Sequence, residues 1–190
     1  LGQTTSSDHD RSAAAGAQLV GIERQSGTVN GLLVGKLTLL LALSNGTPVF
    51  AAKLFGPHLA YPVDSGAPWF DGRPLFGSSK TFRGILLSVL ATSAGAALIG
   101  FAWQVGAVVA GLAMAGDLLS SFVKRRIGLP AGSRATGLDQ IPESLIPLLG
   151  SARALSLTVG DIAAVVAIFF VGEVFLSRIL YRLHVRDHPY

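Results

Sequence analysis

The chain has 190 residues, 50% of them hydrophobic and only 14% charged, with a mean hydropathy of +0.54 and a formal net charge of +4. A water-soluble domain of this length carries nearer a quarter charged residues, so the deficit points to lipid as the solvent and to one integral membrane domain. The absence of cysteine excludes disulfides, thiolate zinc sites, iron–sulfur clusters and cysteine nucleophiles, and the cations cluster beside apolar spans with few aromatics among them, which fits membrane topology or a phosphate-bearing ligand and not nucleic acid.

Residues 1 to about 28 are rich in Ser, Thr, Gly and Asp without a sustained apolar period and read as a mobile tail, leaving residues 29–190 as a single membrane-embedded domain. Gly31 to Phe50 is a first span, with Lys36 near its start able to snorkel to the headgroups. Asn45, Gly46 and Pro48 are expected to break this helix in its second half, either as a tolerated kink or to turn the Asn45 amide into a polar cavity. Ala52 to Phe82 then forms a long polar connection rich in Pro and Gly, and long ordered loops tend to carry function. Its end feeds straight into a helix. Ser78, Ser79 and Thr81 supply hydroxyls there, glycines permit close approach, and Lys80 and Arg83 sit at a helix N-terminus whose dipole favours a bound anion. Two readings stand: an anion cradle, or an N-cap with cations placed by the positive-inside rule.

The 33 residues from Gly84 to Gly116 carry no charged side chain or histidine. One straight helix of that length would reach about 50 Å against a hydrocarbon core of about 30 Å, so the segment must fold back, best between Gly100 and Gly106. Helices are expected from about Thr81 to Phe101 and from about Trp103 to Arg125. Small residues such as Ser88, Thr92, Gly95, Gly106 and Gly111 allow close helix packing or a homodimer contact. A shorter helix from about Ile141 to Leu155, containing Pro142 and Pro147, is marginal as a span. Leu157 to Leu180 is a clearer last span, in which Asp161 and Glu173 read as interfacial or structural, Glu173 paired with Arg178. The expected fold is therefore an all-α integral membrane protein of about five transmembrane helices, with a long cytoplasmic loop between the first two. Cations at 53–83, 124–134 and 178–186 place the first connection, the loop after the third helix and the C-terminus on one side, which the positive-inside rule makes cytoplasmic.

The third helix ends in a costly polar stripe. Asp117, Ser120, Ser121 and Lys124 are spaced i, i+3, i+4 and i+7 and so share one helical face, followed by Arg125, Arg126 and then Asp139. An anion near a helix C-terminus opposes the dipole, so Asp117 calls for a compensating cation, either a metal ion or Lys124. Topology brings this stripe and the Ser78–Arg83 element to the same face, where two carboxylates, several hydroxyls and four or five cations are the parts needed to hold a metal-bound polyphosphate. A small transporter would need its charges deep in the spans on facing helices, whereas here they gather at one face; a catalytically silent scaffold is a second alternative.

Gly116, Asp117, Ser121, Phe122, Val123, Lys124, Arg125 and the following Asp139 resemble the signature of the CTP:phosphatidate cytidylyltransferases, and Ser78 to Gly84 is similar to that family's upstream element. The short length and the Lys80-Thr81-Phe82-Arg83-Gly84 form are closer to its CDP-archaeol synthase branch. The chain departs from that branch at Pro142, where an Asp is more usual, leaving Glu143 as the substitute for the final carboxylate. The resemblance implies transfer of CMP from CTP to the phosphate of a membrane lipid, isoprenoid-ether or diacyl, with release of pyrophosphate. It implies Mg²⁺ on Asp117 and Asp139, phosphate charges met by Lys80, Arg83, Lys124 and Arg125, hydrogen bonds from Ser78, Ser79, Thr81 and Ser121, and Asn45 as a polar contact.

Overall fold

The computed structural model describes residues 28–182, with side chains to Ser177. The expected tail, Thr28 apart, and the side chains of Arg178, Arg182 and Arg186 therefore lie outside the described residues. Among the described residues five helices follow one another: α1 (Gly31–Phe55), α2 (Phe82–Leu98), α3 (Trp103–Arg126), α4 (Gln140–Ser151) and α5 (Val159–Arg182). Among the described residues there is no strand beyond two isolated bridges, Pro62 with Thr81 and Pro68 with Pro74. α1, α3 and the first 19 residues of α5 are long and apolar enough to cross a membrane, while α2 is shorter at 17 residues and α4 has 12.

Successive helices pack on one another, and α1 also touches α3 and α5, which closes the bundle. Its core takes Leu37, Leu40 and Leu41 from α1, Ala96 from α2, Val109 and Ala113 from α3, Leu148 from α4, and Val165 and Phe169 from α5. Lipid contributes no hydrophobic drive between helices, so close packing of small residues takes its place. A Cβ on Gly106 would stand 2.7 Å from both Ala96 Cβ and Ser93 Cα, so α2 and α3 are in backbone contact there. Between these two helices the chain reverses at Gly100, whose φ of +84° suits glycine. Phe101 N–H bonds the Ala96 carbonyl and Gly100 N–H that of Ala97, a Schellman closure that satisfies the end of α2.

The expected break at Asn45 to Pro48 does not occur, and α1 runs unbroken to Phe55. Pro48 has no N–H for the carbonyl of Ser44, four residues back. The Ser88 hydroxyl of α2 donates to that carbonyl at 2.8 Å and lies 3.0 Å from Ser44 Oγ, so the orphan acceptor is satisfied from the neighbouring helix. At the far end of the bundle, Asp161 accepts from Thr158 N–H and Oγ–H as part of a capping box and from Asn30 N–H at 2.8 Å, tying the starts of α1 and α5 together. That is the structural role expected of it.

Candidate active site

The start of α2, the end of α3, the start of α4 and two loops converge at one end of the bundle. The first loop, residues 56–81, contains a small hairpin in which Trp69 N–H bonds Arg73 O and Leu75 N–H bonds Ala67 O. Arg73 donates to the carbonyls of Arg125 at 3.2 Å and Arg126 at 2.6 Å, a cation placed on the exposed carbonyls that end α3. Arg126 answers by pairing with Asp71 at 2.8 Å and donating to Pro74 O. The loop is thus clamped to α3 before its last residues reach the site.

Those last residues are set by Asp64. Its carboxylate is 7% exposed and accepts from Gly66 N–H at 3.0 Å, Phe76 N–H at 2.9 Å and Gly77 N–H at 2.8 Å. Burial pushes this carboxyl up, but the amides of Gly77, Phe76 and Gly66 outweigh it and hold the group below its ordinary value. Beyond this grip the chain delivers Lys80, whose ammonium lies 2.5 and 2.6 Å from the two oxygens of Asp117. The cation that compensates Asp117 is therefore Lys80, from the upstream element, and not Lys124, which is engaged by Asp139.

Lys124 pairs with Asp139 at 2.7 Å and donates to Ser133 O at 2.8 Å. Asp139 also accepts from Ala135 N–H, so the loop between α3 and α4 folds around the lysine. Arg125 donates to Pro130 O and Ser133 Oγ, and its Nη1 would lie 3.2 Å from a Cβ on Gly77, which joins the two loops. Lys124 and Arg125 are 5% and 4% exposed, unusually low for such cations and tolerable only because these carbonyls and the carboxylate receive them. The stripe expected from spacing is real: Ser120, Ser121 and Lys124 are buried beside Asp117 on one face of α3.

The remaining expected residues divide. Thr81 caps α2, its Oγ1 accepting from Gly84 N–H at 3.1 Å, while Ser78 and Ser79 are exposed just before it. Ser121 Oγ and Asn45 Nδ2 are buried without a hydrogen-bond partner among the described residues. Arg83 is turned away from Lys80: it donates to the carbonyls of Gly56 and His58 and lies over the Phe55 ring at 5.7 Å. Two carboxylates join the site that spacing alone did not assign to it. Glu143, 8% exposed, lies against Asp117 because Gly116 lets the Pro142–Glu143 backbone come into contact with α3. Glu173, on α5, lies within electrostatic reach of Arg134, Asp139 and Asp117. A sequence signal for Glu173 exists: Asp161, Val165, Phe169, Glu173 and Ser177 recur every four residues, so the acid belongs to the inward stripe of α5.

Among the described residues no group of three or more His, Asp or Glu side chains forms a metal cage. The donors fit a different mode. Mg²⁺ is commonly held by one or two carboxylates together with substrate phosphates, and Asp117 and Asp139, with Glu143 beside the first, offer hard oxygen donors of that kind.

Five helices with lysines, arginine and carboxylates gathered at one end define a class: a helical membrane protein with a partly buried ionic site. The family model for CarS-like CDP-archaeol synthase matches residues 95–190. The CDP-archaeol synthase of Sulfurisphaera tokodaii is 37% identical over 139 residues, 68% of this chain and 81% of the relative. That of Saccharolobus islandicus is 32% identical over 164 residues, 80% of this chain and 96% of the relative. A solved structure of an intramembrane enzyme for archaeal membrane lipids biosynthesis is 30% identical and aligns with a TM-score of 0.60, covering 73% of this chain and 90% of that one. The chain belongs to the CDP-archaeol synthase family. It is an enzyme, a cytidylyltransferase that uses CTP to form a CDP-lipid.

Proposed function

We propose that this enzyme transfers CMP from CTP to the phosphate of an isoprenoid-ether glycerol phosphate, with Mg²⁺, at the cytoplasmic face of the cell membrane. The observation that carries this reading is the pair of ionic contacts, Lys80 with Asp117 and Lys124 with Asp139, brought together from two distant sequence elements. Cations and carboxylates in alternation suit a polyphosphate and its metal.

In the reaction an oxygen of the lipid phosphate attacks the α-phosphorus of CTP. A new P–O bond forms, the bond from that phosphorus to the oxygen bridging the α- and β-phosphates breaks, and pyrophosphate leaves with the electron pair. The nucleophile is already an anion, so the barrier is charge repulsion and alignment, and no strong general base is required. Lys80, Lys124 and Arg125 are positioned to neutralise phosphate oxygens, with Ser121 a buried donor close to them in sequence. Bound on Asp117 and Asp139, Mg²⁺ would supply further neutralisation of the triphosphate.

Two apolar grooves, one between α1 and α2 and one between α2 and the loop that follows α1, support a long-chain substrate. One, of about 610 Å³, is lined by Phe50, Leu54 and Leu90 among others. The second, of about 750 Å³, is lined by Tyr61, Phe82 and Leu86 and bordered by Arg83, which makes Arg83 a contact for the lipid end of the reaction.

The test incubates purified protein with CTP, Mg²⁺ and either an isoprenoid-ether or a diacyl glycerol phosphate. CDP-lipid and pyrophosphate are expected, with the isoprenoid-ether substrate preferred, and Asp117→Asn or Asp139→Asn should lower the rate by about 100-fold or more. No product from either lipid would overturn the reading, and wild-type rates in Asp139→Asn would remove that residue from it.

A further inference from the structure

We propose that Asp64 is a positioning residue for the reaction, holding the backbone that presents Lys80 to Asp117. This rests on the reading of Lys80 as a phosphate-neutralising group. Asp64 lies 16 residues before Lys80 in a loop that sequence spacing left unassigned. A buried carboxylate would ordinarily be met by a cation, yet among the described residues Asp64 has no ion-pair partner, and its carboxylate is received by backbone amides alone. Two of these belong to Phe76 and Gly77, directly before Ser78, Ser79 and Lys80.

The grip is two-sided. Val63 N–H donates to Lys80 O at 2.8 Å, Phe82 N–H to Tyr61 O, and Thr81 pairs with Pro62 as an isolated bridge. Residues 61–64 therefore hold the active segment at both of its ends, and Asp64 supplies the charged part of that hold. Gly77 adds a second consequence. Its φ is +95°, and a Cβ there would stand 2.9 Å from Ala131 Cβ and 3.2 Å from Arg125 Nη1. The same amide contact that seats Gly77 thus sets the distance between the upstream element and Arg125. A lysine ammonium on a flexible four-carbon stem gains its reach from a fixed Cα, and a displacement near 1 Å at a reacting group lowers rates by about 100-fold.

The test is a double-mutant cycle on the full-length enzyme, with Asp64→Ala and Lys80→Met singly and together. Asp64→Ala is expected to lower kcat/KM for CTP by about 10-fold or more, Asp64→Asn to recover part of the loss through its remaining acceptor oxygen, and Asp64→Ala to add no more than about 2-fold on top of Lys80→Met. Amide exchange at Phe76 and Gly77 should accelerate in Asp64→Asn, and that variant replaces Asp64→Ala in the cycle if the latter is not recovered folded. Independent, multiplying losses would overturn the inference while leaving the proposed reaction intact. Wild-type kcat/KM in Lys80→Met would overturn the inference together with the reading of Lys80 as a phosphate-neutralising group.

Discussion

Replacing Gly116 by Ala adds one methyl group at the point where α3 and α4 touch. The new Cβ would stand 2.7 Å from the Pro142 carbonyl carbon and 2.9 Å from Glu143 N, with the Pro142 oxygen nearer still. All three are backbone atoms, so no side chain can rotate out of the way. Ordinary contact begins near 3.4 Å, so α4 must retreat by about 0.7 Å or more. Overpacking of this kind destabilises by about 1–3 kcal/mol. The larger effect should be on chemistry, because the retreating segment carries Asp139 and Glu143 away from Lys124 and Asp117. A misplacement approaching 1 Å lowers kcat by about 100-fold, or about 2.7 kcal/mol in the barrier. The assay is CDP-lipid formation from CTP at saturating substrate, with thermal unfolding measured alongside. Gly111→Ala is the control, since nothing lies within 4 Å of a Cβ there and that variant should match wild type. Wild-type kcat and unfolding temperature in Gly116→Ala would refute the claim that this contact sets the site.

Ser88→Ala should leave the Ser44 carbonyl without a donor, because Pro48 cannot supply one, and should destabilise by about 1–3 kcal/mol; Ser93→Ala, whose hydroxyl bonds only Val89 O within its own helix, should be nearly neutral. Equal melting temperatures for the two variants would contradict the account of the unbroken α1. The Asp64 carboxyl is held below its ordinary value in the fold, so its contribution to stability is complete above the unfolded value of about 4 and is lost as pH falls through the lowered folded value. The stability gap between wild type and Asp64→Asn should accordingly be constant near neutral pH and shrink below about pH 4, as followed by acid unfolding. A gap that widens on acidification would reverse the sign of the argument.

Much of the site is legible in the amino-acid sequence. The stripe of Asp117, Ser120, Ser121 and Lys124 follows from helical spacing, and counting spans and loop cations places the upstream Lys80 on the same face. Spacing within one helix, however, says only which side chains share a face, not which partner arrives from elsewhere. It therefore offers Lys124 or a metal to Asp117, where the fold delivers Lys80 across 37 positions. Arg83, grouped with Lys80 by proximity in sequence, is separated from it because the two lie on opposite sides of the loop-to-helix turn: one bonds Asp117, the other the carbonyls of Gly56 and His58.

The sequence by itself determined the solvent, the helical class and the approximate limits of each helix, since these depend on hydropathy and on local signals such as the Ser/Thr cap before α2. Only the tertiary structure decided that α1 passes unbroken through Pro48, because the donor that makes this tolerable is Ser88, 44 residues away from the Ser44 carbonyl it serves. It likewise decided that Glu143 stands beside Asp117, through a glycine contact between two helices. It decided too that Asp64 commands the approach of Lys80 through backbone amides, whose partners no side-chain pattern records. In each case the deciding interaction is a hydrogen bond or a contact between segments distant in the chain, and local periodicity carries no information about such pairs.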